Sequence, residues 1–149
     1  MRRVFQGGLA ALFLLLLFVG GFNVHTILQS QANGRLINYV GIMRGATQRL
    51  VKLELAGQPS DELADYLDGV LLDLTTGEGA YDLPVPDDPV YLENLDQLTR
   101  MWDALKGQIA AYRGGEVGAD LLLSSSEDYF TQANNTVFAA EDYSTSQSG

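Results

Sequence analysis

The stretch from residue 37 to residue 55 reads Ile-Asn-Tyr-Val-Gly-Ile-Met-Arg-Gly-Ala-Thr-Gln-Arg-Leu-Val-Lys-Leu-Glu-Leu. At about 100° per residue, its apolar side chains gather on one side of a helix. That core stripe consists of Leu36, Tyr39, Val40, Met43, Thr47, Leu50 and Leu53. A second strip runs beside it and is called the Arg44 strip: Ile37, Gly41, Arg44, Gln48, Val51 and Leu55. The pattern predicts an amphipathic helix with one face for a core and a neighbouring face for another contact.

Three further helical segments follow this stretch. Gly57 and Pro59 end the first helix, Ser60 is a good N-cap, and Asp88 before Pro89 is an N-cap and N1 pair. We predict helices near residues 4–56, 60–76, 88–113 and 116–146, joined by short loops. The fold class is therefore all-α, an antiparallel up-down-up-down four-helix bundle. The predicted core is Val40, Met43, Leu50, Leu67, Val70, Leu71, Leu95, Trp102, Leu105, Leu122 and Val137.

The N-terminal segment predicts a membrane anchor. No Asp, Glu, Lys or Arg occurs between Val4 and Gly34, and a bilayer core needs about 20 residues of helix. Arg2 and Arg3 place the N-terminus in the cytoplasm by the positive-inside rule. We expect a cytoplasmic tip and transmembrane helix over residues 1–24 and an extracytoplasmic domain over residues 25–149, with the protein in the cell membrane. The alternative is a cleaved signal peptide that leaves a secreted helical domain.

The fourth helix of such a bundle returns toward the membrane. A second transmembrane helix is therefore expected beyond Gly149, unless the protein is a single-span ectodomain. An output domain would follow that second helix.

Charge and composition narrow the function. Arg2 and Arg3 are two of the nine basic residues, so the rest of the chain carries seven basic against nineteen acidic residues. A surface this acidic disfavours nucleic acid as a partner. The chain has no cysteine, which excludes disulfides and cysteine metal sites. It shows no hydrolase, phosphate-loop, zinc-protease or dinucleotide motif, so we expect no enzyme, catalytic residue, metal or cofactor.

One short motif resembles a known family. Ile37, Asn38, Gly41, Arg44 and Arg49 have the residue types and spacing of the P-box of bacterial membrane sensors. The resemblance is to nitrate/nitrite sensor kinases and to the N-terminal domain of type IV pili methyl-accepting chemotaxis transducers. It implies signal transduction in a two-component or chemotaxis system, by a sensor domain in a membrane receptor. Gly45-Ala46-Thr47-Gln48 departs from the sequence usual in nitrate sensors. The resemblance therefore implies a small anion as the ligand, without singling out nitrate.

Arg44 is the principal candidate for binding that anion. No acidic residue lies three or four positions from Arg44, and a guanidinium offers a planar fork to a carboxylate or an oxyanion. Asn38, Gly41 and Gln48 complete the predicted site, the amides as hydrogen-bond donors and the glycine as a point of close approach. Two Arg44 side chains facing each other across a homodimer axis would repel unless an anion lay between them.

Two simpler alternatives to an anion-binding sensor remain. Arg44 can simply pair with a carboxylate of the acidic bundle. The whole chain can also be a membrane-anchored or secreted helical bundle that acts as a protein-interaction module and senses no small molecule.

Overall fold

The protein is all-helical in a computed structural model that describes the backbone of residues 2–148 and the side chains of residues 24 and 27–147. Its helices are α1 (Arg2–Leu55), α2 (Asp61–Thr76), α3 (Pro89–Arg113) and α4 (Ala119–Ser148). The described residues contain no β-strand, which confirms the predicted all-helical class. The contacts divide the chain into two units, Met1–Ala32 and Asn33–Gly149.

The predicted helix caps form as expected. Ser60 has an extended backbone and its hydroxyl accepts a hydrogen bond from the Leu63 N–H at 3.2 Å. Asp88 does the same for the Tyr91 N–H at 2.9 Å, with Pro89 at the first helical position. These side chains satisfy N–H groups that a helix start leaves without partners, which fixes where α2 and α3 begin.

α4 begins later than its predicted start near residue 116. Gly115 has a φ of +75°, in the left-handed region that glycine adopts without a steric penalty. Gly118 lies just before the helix, and its carbonyl accepts the Leu122 N–H at 3.4 Å. Glycine is a poor helix former, so Val117 stays in the turn although it is apolar.

Contacts between helices in the second unit define an antiparallel bundle. α1 meets α4 where the Thr47 hydroxyl donates to the Tyr129 hydroxyl at 3.4 Å. α3 meets α2 where the indole of Trp102 donates to Asp68 at 2.7 Å. Tyr81, in the loop between α2 and α3, has ring contacts with Tyr39 of α1 and Tyr66 of α2 and so connects those helices. Amide contacts connect α3 with α4. The helices therefore pack in a ring in chain order, as predicted for an up-down-up-down bundle.

All eleven predicted core residues are buried, so the core prediction is confirmed. The Arg44 strip differs from its prediction at Val51, which is 3% exposed and belongs to the core. Ile37 and Leu55 are partly buried and pack against the same core. α1 packs against both α2 and α4, so its buried arc is wider than one stripe, and the expectation that the whole strip lies off the core is wrong.

A buried carboxylate organises the turn after α2. Asp73 is fully buried and accepts the N–H groups of Gly79 at 2.9 Å and Tyr81 at 2.7 Å. A Cβ on Gly79 would lie 2.5 Å from the Asp73 carboxyl carbon, so the loop can close on Asp73 only with glycine there. This closure places Tyr81 against Tyr39 of α1, with ring centroids 4.7 Å apart.

The first unit, Met1–Ala32, contains the predicted membrane anchor. Its large described apolar side chains, Val24, Ile27 and Leu28, are each more than half exposed. A search of the described residues finds no helix that is both long and apolar enough to cross a membrane. The predicted anchor depends on the side chains of residues 4–23, which lie outside the described ones.

Candidate anion site on α1

Arg44 lies at the contact between α1 and α4. Its Nη1 donates a hydrogen bond of 2.8 Å to Oδ1 of Asn134, and the pair is partly buried. Among the residues whose side chains are described, Arg44 forms no ion pair. The partner of Arg44 is thus a neutral amide, and not a carboxylate of the bundle as the simpler alternative expects.

Most other cations of the described part are already paired with acids. Arg35 lies 3.8 Å from Asp82, Arg100 2.9 Å from Asp96, Lys106 2.8 Å from Asp68, and Arg113 2.7 Å from Asp61. Arg44, Arg49 and Lys52 are the exceptions in residues 27–147, and all three are on α1. In a chain with 19 acidic residues, unpaired positive charge is therefore concentrated on one helix.

Tyr129 fixes the geometry beside Arg44. This side chain is 1% exposed, and its hydroxyl donates to the backbone carbonyl of Met43 at 3.1 Å. Burial raises the pKa of Tyr129 well above its ordinary value, so the hydroxyl keeps the proton that makes this bond. The carbonyl immediately before Arg44 is therefore hydrogen-bonded to a buried side chain of α4, which fixes the backbone of α1 beside Arg44.

The structure does not bring all the predicted site residues together in one protomer. Gly41 is half-buried, and a Cβ built on it meets nothing within 4 Å. Gln48 is exposed one turn beyond Arg44 and, like Gly41, lies on a neighbouring part of the helix surface. Asn38 is exposed but projects about 120° around the helix from Arg44, because six residues separate them. Asn38 can join Arg44 only if a second molecule brings it there.

Sequence reasoning missed Asn134 and Tyr129 as neighbours of Arg44. Both are on α4, 90 and 86 residues from their α1 partners Arg44 and Met43. Asparagine is a poor helix former, and this property of Asn134 points to no contact with α1. The available signal was the helical spacing that puts Tyr129, Ala133 and Val137 on the buried side of α4, which leaves Asn134 at its border.

Comparison with protein-family models, with curated proteins and with solved structures finds no match for this chain. Among the described residues, no group of His, Asp or Glu side chains has the arrangement of a metal site.

The chemistry available at Arg44 is charge-assisted hydrogen bonding. A guanidinium carries five N–H groups in a fixed fork, and Asn134 accepts from only one of its nitrogens. The groups that remain can bind a planar anion without breaking an ion pair first. Such hydrogen bonds are roughly twice as strong as neutral ones.

Proposed function

We propose that this chain is the extracytoplasmic ligand-sensing domain of a membrane signalling receptor and that it binds a small anion at Arg44. The observation that carries the proposal is the neutral partner of Arg44: an acid-rich bundle leaves this partly buried cation without a carboxylate. A cation that is held by an amide at a rigid helix contact is prepared for an exogenous anion.

The N-terminal sequence supports the membrane part of the proposal. Residues 4–23 lack charged side chains and are long enough to cross a bilayer as a helix, with Arg2 and Arg3 on the cytoplasmic side. α1 (Arg2–Leu55) includes both this run and Arg44. A shift of α1 on anion binding is thus a direct way to pass a signal to the membrane segment.

We also propose that the sensor is a homodimer in which the exposed face of α1 pairs with its own copy. Gly41 and Gly45 have open space where a side chain would lie, although glycine costs about 1 kcal/mol relative to alanine in a helix. A symmetric pairing there would bring Asn38 and Gln48 of one protomer toward Arg44 of its partner. An anion between the two Arg44 side chains would relieve their repulsion.

The test measures thermal stabilisation of the purified full chain by sodium nitrate, formate and acetate at constant ionic strength. We expect at least one of these anions to raise the Tm of the wild type. Arg44→Gln should abolish that shift because it removes the anion's partner. Arg100→Gln is the matched control, since it removes one positive charge from the exposed surface of α3.

Two outcomes would overturn the anion proposal. One is that none of the three anions stabilises the wild type beyond a chloride control. The other is that Arg44→Gln is stabilised as strongly as Arg100→Gln.

A protein-interaction module is the second candidate function. It is favoured by three apolar side chains on three helices that are more than half exposed: Leu72 at 60%, Val90 at 61% and Phe138 at 53%. Isolated exposed apolar residues are common on protein surfaces. They therefore support an interaction module less strongly than the neutral partner of Arg44 supports anion binding.

A further inference from the structure

A second candidate binding site lies in a groove between α1 and α2, away from Arg44. The groove encloses about 360 Å³, within the size range of small-molecule sites. Its lining comes from the C-terminal part of α1 and the N-terminal part of α2: Arg49, Leu53, Ser60, Glu62, Leu63 and Tyr66.

The groove holds one cation and one anion that do not pair with each other. Arg49 and Glu62 both line it, yet neither takes part in any ion pair among the described side chains. Opposite charges on adjacent helices normally gain by pairing directly where they can reach each other. Here both side chains line the groove without an ion pair, which leaves the guanidinium available to a negative group and the carboxylate available to a positive group.

Most of the other lining side chains are apolar or aromatic, and they form what is called here the floor of the groove. Leu53 and Leu63 are partly buried, and Tyr66 is 37% exposed. Tyr81 contacts Tyr66 edge-on, with ring centroids 6.2 Å apart. An apolar group in the groove would cover these side chains and remove their surface from water.

The charge pattern selects among ligand classes. Glu62 and the acidic bundle repel a simple anion, and Arg49 repels a simple cation. A ligand with a carboxylate, an ammonium group and an apolar body satisfies both charges and the floor at once. A volume of this size accommodates one such unit.

We propose that this groove binds a free amino acid with an apolar or aromatic side chain, its carboxylate on Arg49, its ammonium on Glu62 and its side chain against Tyr66. The site goes beyond the anion site and uses none of its residues. Because its two walls belong to α1 and α2, the bound amino acid would link those helices where no ion pair now does.

The experiment is isothermal titration calorimetry of the full chain with L-phenylalanine. Two analogues test the charges separately: 2-phenylethylamine lacks the carboxylate and 3-phenylpropionate lacks the ammonium group. We expect each analogue to bind at least about tenfold more weakly than phenylalanine, since each loses one charge-assisted contact.

Variants locate the site. Arg49→Gln and Glu62→Gln should each weaken phenylalanine binding by about tenfold. Lys52→Gln is the matched control, because it removes an exposed, unpaired cation from the same helix outside the groove. Arg44→Gln should leave phenylalanine binding unchanged, which separates this site from the anion site.

The proposal is overturned if phenylalanine releases no heat and gives no thermal shift at millimolar concentration. It is also overturned if both analogues bind as well as phenylalanine, or if Lys52→Gln weakens binding as much as Arg49→Gln.

Discussion

Arg113 connects three helix ends through two carboxylates. Its Nε donates to both oxygens of Glu54, at 2.8 and 3.1 Å, and its Nη2 lies 2.7 Å from Asp61. The hydrogen bonds that Arg113 donates to Asp61 and then to Glu54 raise the pKa of Arg113, so its guanidinium stays charged. Because the Glu54 side chain is only 4% exposed, it depends on Arg113 for its compensation.

The first residue-scale prediction concerns this arginine. Arg113→Gln should lower the free energy of unfolding by about 2 kcal/mol, because Glu54 would remain buried without a cation. Arg113 is itself partly exposed, which keeps the loss below that of a fully buried pair. Urea unfolding at pH 7 measures the loss. The double variant Glu54→Gln with Arg113→Gln should be more stable than Arg113→Gln alone, and equal or lower stability would contradict this account.

Asp68 makes stability depend on pH. Burial alone would raise the pKa of Asp68, but hydrogen bonds from Lys106 and Trp102 outweigh burial and lower it. The folded pKa is therefore below the unfolded value of about 4. The contribution of Asp68 is fully present above the unfolded pKa and is lost as the pH falls through the folded pKa.

The second residue-scale prediction follows from that sign. Asp68→Asn should lose about 1 kcal/mol relative to the wild type at pH 7, and the difference should shrink as the pH falls from 4 toward 2. Urea unfolding at pH 7, 5 and 3 measures it, with the exposed Asp87→Asn as control. A difference that grows as the pH falls would show that the assigned direction of the pKa shift is wrong.

At the residue scale, the sequence predicts what depends on local neighbours. Ser60 and Asp88 were predictable as caps because a cap contacts an N–H three positions away. Asn134 was not predictable as the partner of Arg44, because that contact depends on how α1 and α4 are rotated against each other. Asp73 was not predictable either, because its partners Gly79 and Tyr81 lie in an irregular loop whose path no helical spacing fixes.

At the scale of the helices, the seam, meaning the buried apolar faces of α2 and α3, can be tested by shortening single leucine side chains. Leu67→Ala and Leu105→Ala should each cost about 2–5 kcal/mol, because both side chains are buried and a cavity would remain. Leu72→Ala on α2 is the control, since Leu72 is 60% exposed and should change stability little. Chemical unfolding of the three variants is the measurement. Equal stabilities for Leu67→Ala and Leu72→Ala would place the seam elsewhere.

The helices themselves were largely predictable from periodicity. Apolar spacing set the facing stripes of α2 and α3, and all the buried positions predicted there are buried. Val51 shows the limit of this reasoning. A single stripe describes a helix with one packed face, whereas α1 packs against two neighbours and buries Val51 as well.

At the scale of the whole molecule, the proposed dimer can be tested by crosslinking. The natural chain has no cysteine, so single cysteines can be introduced without background. Gly41→Cys and Gln48→Cys should form disulfide-linked dimers in membranes under mild oxidation, because the proposed axis passes along α1. Gln97→Cys, exposed on α3, is the control. Efficient crosslinking at residue 97 with none at 41 or 48 would move the interface to another helix.

The contacts of Arg113 with Glu54 and Asp61 restrict how the part of α1 within the bundle can move. Sliding this segment along its axis would pull Glu54 from the two hydrogen bonds that Arg113 donates. Tilting it about Glu54 leaves both of these bonds in place but pulls the Met43 carbonyl away from the Tyr129 hydroxyl of α4. Arg44 lies about 15 Å from Glu54 along the helix, at 1.5 Å per residue. This segment is therefore held at two levels of the bundle, by Arg113 at Glu54 and by Tyr129 beside Arg44, and a slide or a tilt must break the contacts of at least one of them.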